Sequence, residues 1–312
     1  MLYGEYRLIC RFEDDAVLPH YKGSTFRGIF GRALKQVVCA LKTRDCPDCL
    51  LKERCVYVQV FETGILADSA GKTRGMDRPH PFVIEPPDTA DTHFPKGSDF
   101  EFRLLLFGKT NVHLPYFIYA FDRMSRIGIG KMINGKRPEF RLIHVMMEDR
   151  PIYSPEDKRL TVPDDLPEID PLTGESPPGL FRLELTLQTP LRLKFENRLK
   201  ADLPFHVLVR AMLRRISTLS AYYGDGDPPL DYHGLVKRAE SVKIIEDRLE
   251  WFDWRRFSFR QDREMLMGGM TGSVVYEGEL GEFLPLVRFC EKVHLGKQTT
   301  FGLGRIQGEV LS

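Results

Sequence analysis

Two hydrophobic patterns divide the chain into segments of different structure. Apolar and polar residues alternate over 6–12 and again over 181–187, and this period of two predicts a half-buried β-strand in each place. A second pattern follows each strand, with apolar residues every three to four positions over 24–41 and 204–222, which predicts amphipathic α-helices. The two halves of the chain therefore open with the same strand and helix.

The rest of each half repeats one order of elements. In the first half the sequence predicts a helix over 114–127 and strands over 56–62, 100–107 and 140–147. In the second half it predicts a helix near 282–291, a final strand after it, and earlier strands near 242–259 and 271–278. We therefore predict an α+β fold of two tandem ferredoxin-like (RRM-like) βαββαβ domains, each an antiparallel sheet with two helices on one face.

The segment between the two halves has a different composition. Residues 148–178 contain seven of the chain's 21 prolines, and residues 148–175 contain nine acidic side chains against three basic ones. Such a composition, with little periodic apolar pattern, is typical of a linker. The predicted organisation is an N-terminal domain at 1–147, an acidic proline-rich linker at 148–178 and a C-terminal domain at 179–312.

Charge is distributed unevenly, although the formal net charge is only +1. Six basic and no acidic side chains occur in 19–44, and seven basic side chains against two acidic ones occur in 191–215. Such regions suit an anion-binding surface, and solvated faces explain them equally well. No apolar run reaches the roughly 18 residues of a membrane span, and the first residues lack the order of a signal peptide. The expected compartment is therefore the cytosol, with no membrane partner.

The most specific motif lies near the C-terminus, between His294 and Arg305. Its glycines allow a tight turn and a close approach to a ligand, and its polar side chains can donate to phosphate or sugar oxygens. The glycines are Gly296, Gly302 and Gly304, and the donors are Lys297, Gln298, Thr299, Thr300 and Arg305. The loop follows a helix and enters a strand, which excludes a dinucleotide-binding loop, and no Gly-Lys-Ser/Thr precedes a helix, which excludes a Walker loop. The motif therefore fits a polynucleotide backbone.

This loop resembles the glycine-rich loop of the repeat-associated RNA-binding (RAMP) superfamily, close to the C-terminus as in the CRISPR repeat-processing endoribonucleases. The segment LPHYKGSTFRGIFGR at 18–32, the cysteines after it and CVYVQVFE at 55–62 are similar to the opening of the cysteine-containing branch of that family. The resemblance covers both halves in order and spacing, without the linker and residues 64–99. It implies a metal-independent endoribonuclease acting on CRISPR repeat RNA, with that RNA and other subunits of a CRISPR effector complex as partners.

In the reaction that this resemblance implies, the RNA's own 2′-hydroxyl attacks the adjacent phosphate and leaves a 2′,3′-cyclic phosphate upstream of the cut. Such a reaction needs a general base, a general acid and cations near the phosphate, and no cofactor. His20 lies in the acid-free segment, near the position where the family often carries catalytic groups, and is the first candidate, with Tyr21 beside it. His294 is the second candidate and Lys35 a substitute acid. Structural roles for both histidines remain open.

Further cations complete the predicted RNA-binding set. Lys22 precedes the first helix, Arg27 and Arg32 lie on its non-apolar side, and Arg126 and Lys131 lie around a second glycine-bearing loop at 128–135. They suit phosphate contacts, and solvation of helix ends explains them as well. The alternative function is a non-catalytic RAMP subunit that holds guide RNA in an effector complex, and a third is a zinc-stabilised scaffold for other proteins.

Four of the six cysteines lie close together in the pattern C-x6-C-x2-C-x5-C. They are Cys39, Cys46, Cys49 and Cys55. Four thiolates in a reducing compartment suit a tetrahedral structural zinc ion, and an iron–sulfur cluster is the second choice for the same ligands. Three free thiols with Cys39 in the core is the alternative that this pattern leaves open.

Overall fold

The structure is a computed structural model that describes residues 1–42, 45–66, 78–162, 165–174, 177–193, 201–258 and 263–311. The chain divides into two compact units. The first contains Met1–Glu168 with Tyr222–Gly224, and the second contains Ile169–Ala221 with Asp225–Ser312. Each unit is built on one antiparallel sheet in ferredoxin-like order, as predicted. None of the described helices is both long enough and apolar enough to cross a membrane.

The first unit follows the βαββαβ order with short additions. Its elements are β1 Tyr3–Phe12, β2 Ala16–Val17, α1 Gly23–Val38, α2 Val56–Phe61, β3 Phe82–Glu85, β4 His93–Phe94, β5 Asp99–Phe107, α3 Leu114–Ile127, β6 Phe140–Met147 and β7 Arg150–Tyr153. The strand order in the sheet is β3-β5-β1-β6-β7, and β2 pairs separately with β4. The first four of these strands have the ferredoxin arrangement, and β7 adds an edge strand inside the range predicted as linker.

An aromatic core joins the helices of the first unit to its sheet. On α1, Phe26 lies with its ring 5.1 Å from that of Phe102 on β5, and Phe30 lies 4.6 Å from Phe121 on α3. All four side chains are buried. Aromatic pairs at these separations stabilise a core beyond the burial of their area, and they fix α1 and α3 against each other.

The other face of the same sheet carries charges that pair across strands. Arg11 on β1 contacts Asp99 on β5 at 2.6 Å, and further pairs of 3.7 Å join Arg7 to Glu101 and Arg103 to Glu5. Opposite charges on neighbouring strands stabilise a solvated sheet face. Because cations and acids alternate there, this face does not form a basic surface.

The predicted strand at 56–62 is wrong, because Val56–Phe61 forms the short helix α2. Its buried residues Tyr57, Val58, Val60 and Phe61 follow helical spacing. The β-branched and aromatic composition favours a strand locally, but packing against α1 decides the outcome. A Cβ atom at Gly31 would lie 2.3 Å from the Phe61 ring, so the glycine makes room for this contact.

The second unit repeats the order with one extra helix and one extra strand. Its elements are β8 Leu180–Leu191, α4 Phe205–Tyr223, α5 Tyr232–Ala239, β9 Lys243–Asp247, β10 Glu250–Ser258, β11 Arg263–Glu279, α6 Leu284–Val293 and β12 Ile306–Leu311. The sheet order is β10-β11-β8-β12, and β9 also pairs with β11. The single strand predicted near 242–259 is therefore two strands, and α5 lacks a counterpart in the predicted order.

Candidate functional site

The glycine loop, His294–Arg305, connects α6 to β12 in the second unit. Its glycines have positive φ angles, +84° at Gly296, +81° at Gly302 and +75° at Gly304. A Cβ atom at Gly304 would lie 1.8 Å from the carbonyl oxygen of Leu295. Glycine is therefore required by both the backbone conformation and the close approach of another backbone group.

The end of β8 holds the glycine loop in place. The hydroxyl of Thr189 donates to the carbonyl oxygen of Gly302 at 2.9 Å and accepts from the backbone N–H of Arg305 at 2.9 Å. The backbone N–H of Lys297 donates to the carbonyl oxygen of Arg192 at 3.0 Å. These bonds fix the loop backbone before any ligand binds. Residues 194–200, which belong to the second basic region, lie outside the described part of the chain.

His294 lies inside the second unit. Its side chain is 0% exposed, and its Nδ1 lies 3.0 Å from the carbonyl oxygen of Leu303. Arg215 on α4 donates from Nε to the carbonyl oxygen of His294 at 3.0 Å and from Nη2 to that of Val293 at 2.6 Å. This predicted catalytic residue is therefore buried, and its ring links the two ends of the loop.

The polar side chains of the glycine loop form an outer and an inner group. Lys297 is exposed and Arg305 is half-buried, whereas Thr299 and Thr300 are buried in a short 3-10 turn. Gln298 has a left-handed backbone, and its buried Oε1 atom has no hydrogen-bond partner among the described residues. A buried acceptor without a donor costs free energy. Because this atom is shielded from solvent, the structure does not present it to a bound RNA.

In the first unit, the segment 17–22 carries His20. Val17 in β2 pairs with His93 in β4 on one side, and the backbone N–H of Lys131 donates to the carbonyl oxygen of Val17 at 2.8 Å. His20 follows at the entrance to α1, and its side chain is exposed. The structure therefore brings two predicted residues, His20 and Lys131, to the same part of the first unit.

Lys22 is buried beneath this segment, although a surface position was predicted. Its Nζ donates to the carbonyl oxygen of Thr89 at 2.7 Å and to that of His20 at 3.2 Å. Burial lowers the pKa of Lys22, and the negative charge of Asp91 acts in the opposite direction. Lys22 thus holds the backbone of His20 in place from inside the unit.

The other two predicted catalytic side chains have different surroundings. Burial raises the pKa of Tyr21, and the charge of Glu85 adds to this effect, so the phenol keeps its proton at neutral pH and is not suited to act as a general base. Lys35 lies near the end of α1, with its Nζ 3.3 Å from Cys46 Sγ. Residues 22 and 35 are separated by about 20 Å along the helix axis, so the structure does not bring Lys35 to His20.

The remaining predicted cations are mostly exposed. Arg32 on α1 and Lys131 after α3 are exposed, and Arg126 is exposed while paired with Asp122 at 3.2 Å. The guanidinium of Arg27 lies 4.3 Å from the centre of the Phe61 ring, a cation–π contact within the first unit. Three of these four side chains therefore remain on the surface as the sequence predicts.

The structure does not support the predicted zinc or iron–sulfur site. Cys46 and Cys49 lie in a turn closed by a 3.2 Å bond from the N–H of Cys49 to the carbonyl oxygen of Cys46, while Cys39 follows α1 and Cys55 precedes α2. The Cys46 sulfur has the Lys35 ammonium as its neighbour. Across the described residues, no three Cys, His, Asp or Glu side chains are placed to share one metal ion. Spacing in sequence does not determine where each sulfur points.

His93 is a second exposed histidine that the hydrophobic pattern does not indicate. Its Nδ1 lies 3.0 Å from Thr92 Oγ1, and the strand that carries it, β4, is only two residues long. Such a short strand after an irregular segment has no period to detect. Only the pairing of β4 with β2 brings His93 to the segment that carries His20.

Family comparisons cover most of both units. Residues 1–165 match a family model described as the N-terminal domain AF_1859_N, and residues 185–306 match the model of the CRISPR-associated endoribonuclease Cas6. The second match includes the whole glycine loop. This match supports the predicted resemblance to the Cas6/RAMP-type CRISPR-associated endoribonucleases. The same match supports a role in processing CRISPR repeat RNA.

Individual relatives match over nearly the whole chain. A protein of Archaeoglobus fulgidus, described as uncharacterized, is 24% identical over 292 residues, which cover 92% of this chain and 91% of its own. The Cas6 structure of Thermus thermophilus matches with a TM-score of 0.54 at 14% identity, over 99% of this chain and 98% of that chain. A partial Cas6-RT-Cas1–Cas2 complex matches with a TM-score of 0.57 at 12% identity, over 99% of this chain and 46% of that chain. These structures support the Cas6 fold.

Proposed function

We propose that this chain is a metal-independent endoribonuclease that cuts CRISPR repeat RNA. The observation that carries the proposal is the glycine loop, in which a backbone fixed by Thr189 presents Lys297 to solution. An exposed cation on a tightly turned backbone suits the phosphates of RNA. The loop accordingly has the role of binding the RNA backbone.

The proposed chemistry takes place at the exposed imidazole of His20. A base removes the proton of a 2′-hydroxyl, the 2′-oxygen attacks phosphorus, and the bond from phosphorus to the 5′-oxygen breaks as an acid protonates that oxygen. The products are a 2′,3′-cyclic phosphate and a 5′-hydroxyl. His20 performs one of the proton transfers, and His93 is the available second imidazole, since β2 pairs with β4 beside it.

Hydrogen bonds hold the backbone around His20 in place. Lys22 fixes the carbonyl groups of His20 and Thr89 from inside, so the imidazole projects from a held segment. Lys131, bonded through its backbone to Val17, supplies a positive charge near the same segment. Cations placed before reaction stabilise the charge that develops on the phosphate. His294 contributes as a positioning residue for the glycine loop.

Cleavage of end-labelled repeat RNA in EDTA tests this proposal. We expect the unaltered protein to cut at one position, with His20→Ala binding the RNA but cutting it slowly. His93→Ala tests the second proton transfer in the same assay. Tight binding without any cleavage by the unaltered protein would instead favour a non-catalytic RAMP subunit that holds guide RNA.

A further inference from the structure

One side of α3 exposes large aromatic side chains in a regular line. Five residues, separated by four, three, four and three positions, define what we call the α3 stripe. In chain order they are Val112 of the 3-10 turn Gly108–His113, which precedes α3, and Tyr116, Tyr119, Arg123 and Arg126 of α3 itself, and all are exposed. The exposed fractions of the first three are 70%, 45% and 55%. Residues three or four apart are neighbours on a helix surface, so these side chains form one continuous strip.

The core of the first unit does not use the α3 stripe. A separate set of α3 residues packs inward, and it includes Phe117, Phe121 and Met124, each no more than 1% exposed. Tyr116 and Tyr119 therefore point away from the apolar face that holds the helix in place. Exposed aromatic rings next to arginines are characteristic of binding surfaces.

The order of side chains along the stripe favours a nucleic acid strand. Two tyrosine rings come first, with the ring of His113 lying 6.2 Å from that of Tyr116, and two guanidinium groups follow. Aromatic faces stack on unpaired bases, and arginines contact the phosphates between them. Arg126 is paired with the neighbouring Asp122 at 3.2 Å, and because the arginine side chain is exposed, this ion pair is weak enough for a phosphate to replace the carboxylate.

The stripe also leads toward the proposed catalytic segment. The helix ends at Ile127, and the loop after it carries Lys131, whose backbone is bonded to Val17 at 2.8 Å. Tyr116 and Arg126 are about 15 Å apart along the helix axis. A strand of a few nucleotides bound along α3 would therefore reach the region of His20.

We propose that the α3 stripe binds a single-stranded segment of the repeat transcript outside the cleavage point, with bases stacked on Tyr116 and Tyr119 and phosphates bound by Arg123 and Arg126. The inference rests on the proposed function, because it assigns a second contact to the same RNA. The two arginines favour a polyanionic strand over an apolar protein segment as the occupant.

Affinity measurements with labelled repeat RNA test the stacking. The double variant Tyr116→Ala/Tyr119→Ala should bind about tenfold more weakly or worse, whereas Tyr116→Phe/Tyr119→Phe should remain within about twofold. A matched control, Leu180→Ala/Val310→Ala, truncates side chains that are 77% and 42% exposed in the second unit, and its affinity should be unchanged. Circular dichroism checks that every variant is folded.

The salt dependence of binding tests the arginines. For a single strand, log affinity decreases linearly with log salt concentration. The steepness of this line decreases by about 0.7 for each phosphate that the protein no longer neutralises. Arg123→Ala/Arg126→Ala should therefore reduce the slope by about 1.4, while the tyrosine variants should weaken binding without changing the slope. An unchanged slope in the arginine variant would count against the proposed binding of phosphates.

Crosslinking of RNA to the unaltered protein provides a further test, which is read together with the tyrosine variants. Repeat RNA containing 4-thiouridine, irradiated in complex with the unaltered protein, should label a peptide that contains residues 112–126. RNA that binds and is cut normally in the tyrosine variants, with no label on this peptide, would overturn the α3 inference and leave the proposed function intact. Failure of the unaltered protein to bind repeat RNA would overturn both.

Discussion

The hydroxyl of Thr189 donates to the carbonyl oxygen of Gly302 at 2.9 Å, and this bond ties the glycine loop to β8. Thr189→Val keeps the shape of the side chain but leaves two backbone groups of the loop without their partner. We expect the free energy of unfolding to fall by about 1–3 kcal/mol and RNA affinity to fall with it. Denaturant unfolding and RNA binding measure the two effects. Thr189→Ser should behave like the unaltered protein, and an equally stable valine variant would contradict the assigned role.

Alanine substitutions at Gly304 and at Gly28 should change the stability of the protein in opposite directions. Gly304→Ala should destabilise the second unit by more than about 2 kcal/mol, because of its positive φ angle and the 1.8 Å approach to Leu295. Gly28→Ala, in open space on α1, should stabilise the protein by about 0.5–1 kcal/mol. Thermal or denaturant unfolding checks both signs. A harmless Gly304→Ala would show that the loop backbone is not held as described.

The Tyr6 hydroxyl makes the stability of the first unit depend on pH in the alkaline range. Its buried hydroxyl donates to Asn111 Oδ1 at 2.9 Å, and burial raises its pKa to about 12. Tyr6→Phe should lower the free energy of unfolding by about 1–2 kcal/mol at neutral pH, because the Asn111 acceptor loses its donor.

The pH dependence of this difference has a definite sign. Because the folded pKa of Tyr6 lies above the ordinary value of 10, the unfolded chain loses the proton first as pH rises. The stability advantage of tyrosine over phenylalanine should therefore be full below pH 10 and shrink between pH 10 and about 12. Urea unfolding of both proteins at pH 7, 9 and 11 measures it, and a constant difference would contradict this account.

Substituting the two predicted catalytic histidines should change two different properties of the protein. His20→Ala should lower the rate of RNA cleavage by about 10²–10⁴-fold with RNA affinity changed little, because the exposed imidazole is proposed to transfer a proton. His294→Ala should lower the free energy of unfolding by about 1–3 kcal/mol, because it removes a buried ring bonded to Leu303. Single-turnover cleavage and denaturant unfolding of both variants check this. A stable His294→Ala variant that binds RNA but cannot cut it would reverse the assignment.

The fold follows from the sequence where one hydrophobic period dominates a segment. The alternation in β1 and β8 and the helical period in α1 and α4 each agree with the structure. The prediction of a strand at Val56–Phe61 is wrong because its β-branched and aromatic residues fit both the strand period and the helix period. Contact with α1 selects the helix.

The candidate site is less predictable, since burial depends on residues distant in sequence. The glycine loop is evident from its composition, and its positive φ angles explain the glycines. The burial of His294 depends on Arg215, 79 residues away, and that of Lys22 on Thr89, 67 residues away. Charge and residue type place both side chains at the surface, and only tertiary packing places them inside.

The central claim is cleavage of repeat RNA by its own 2′-hydroxyl, and one measurement tests it most directly. The unaltered protein is incubated in EDTA with end-labelled repeat RNA and with a series of the same RNA in which each position in turn is 2′-deoxy. The account predicts one cut, retained in EDTA and abolished by the single 2′-deoxy substitution immediately upstream of it. Cleavage that persists in every 2′-deoxy substrate, or that EDTA abolishes, would contradict it.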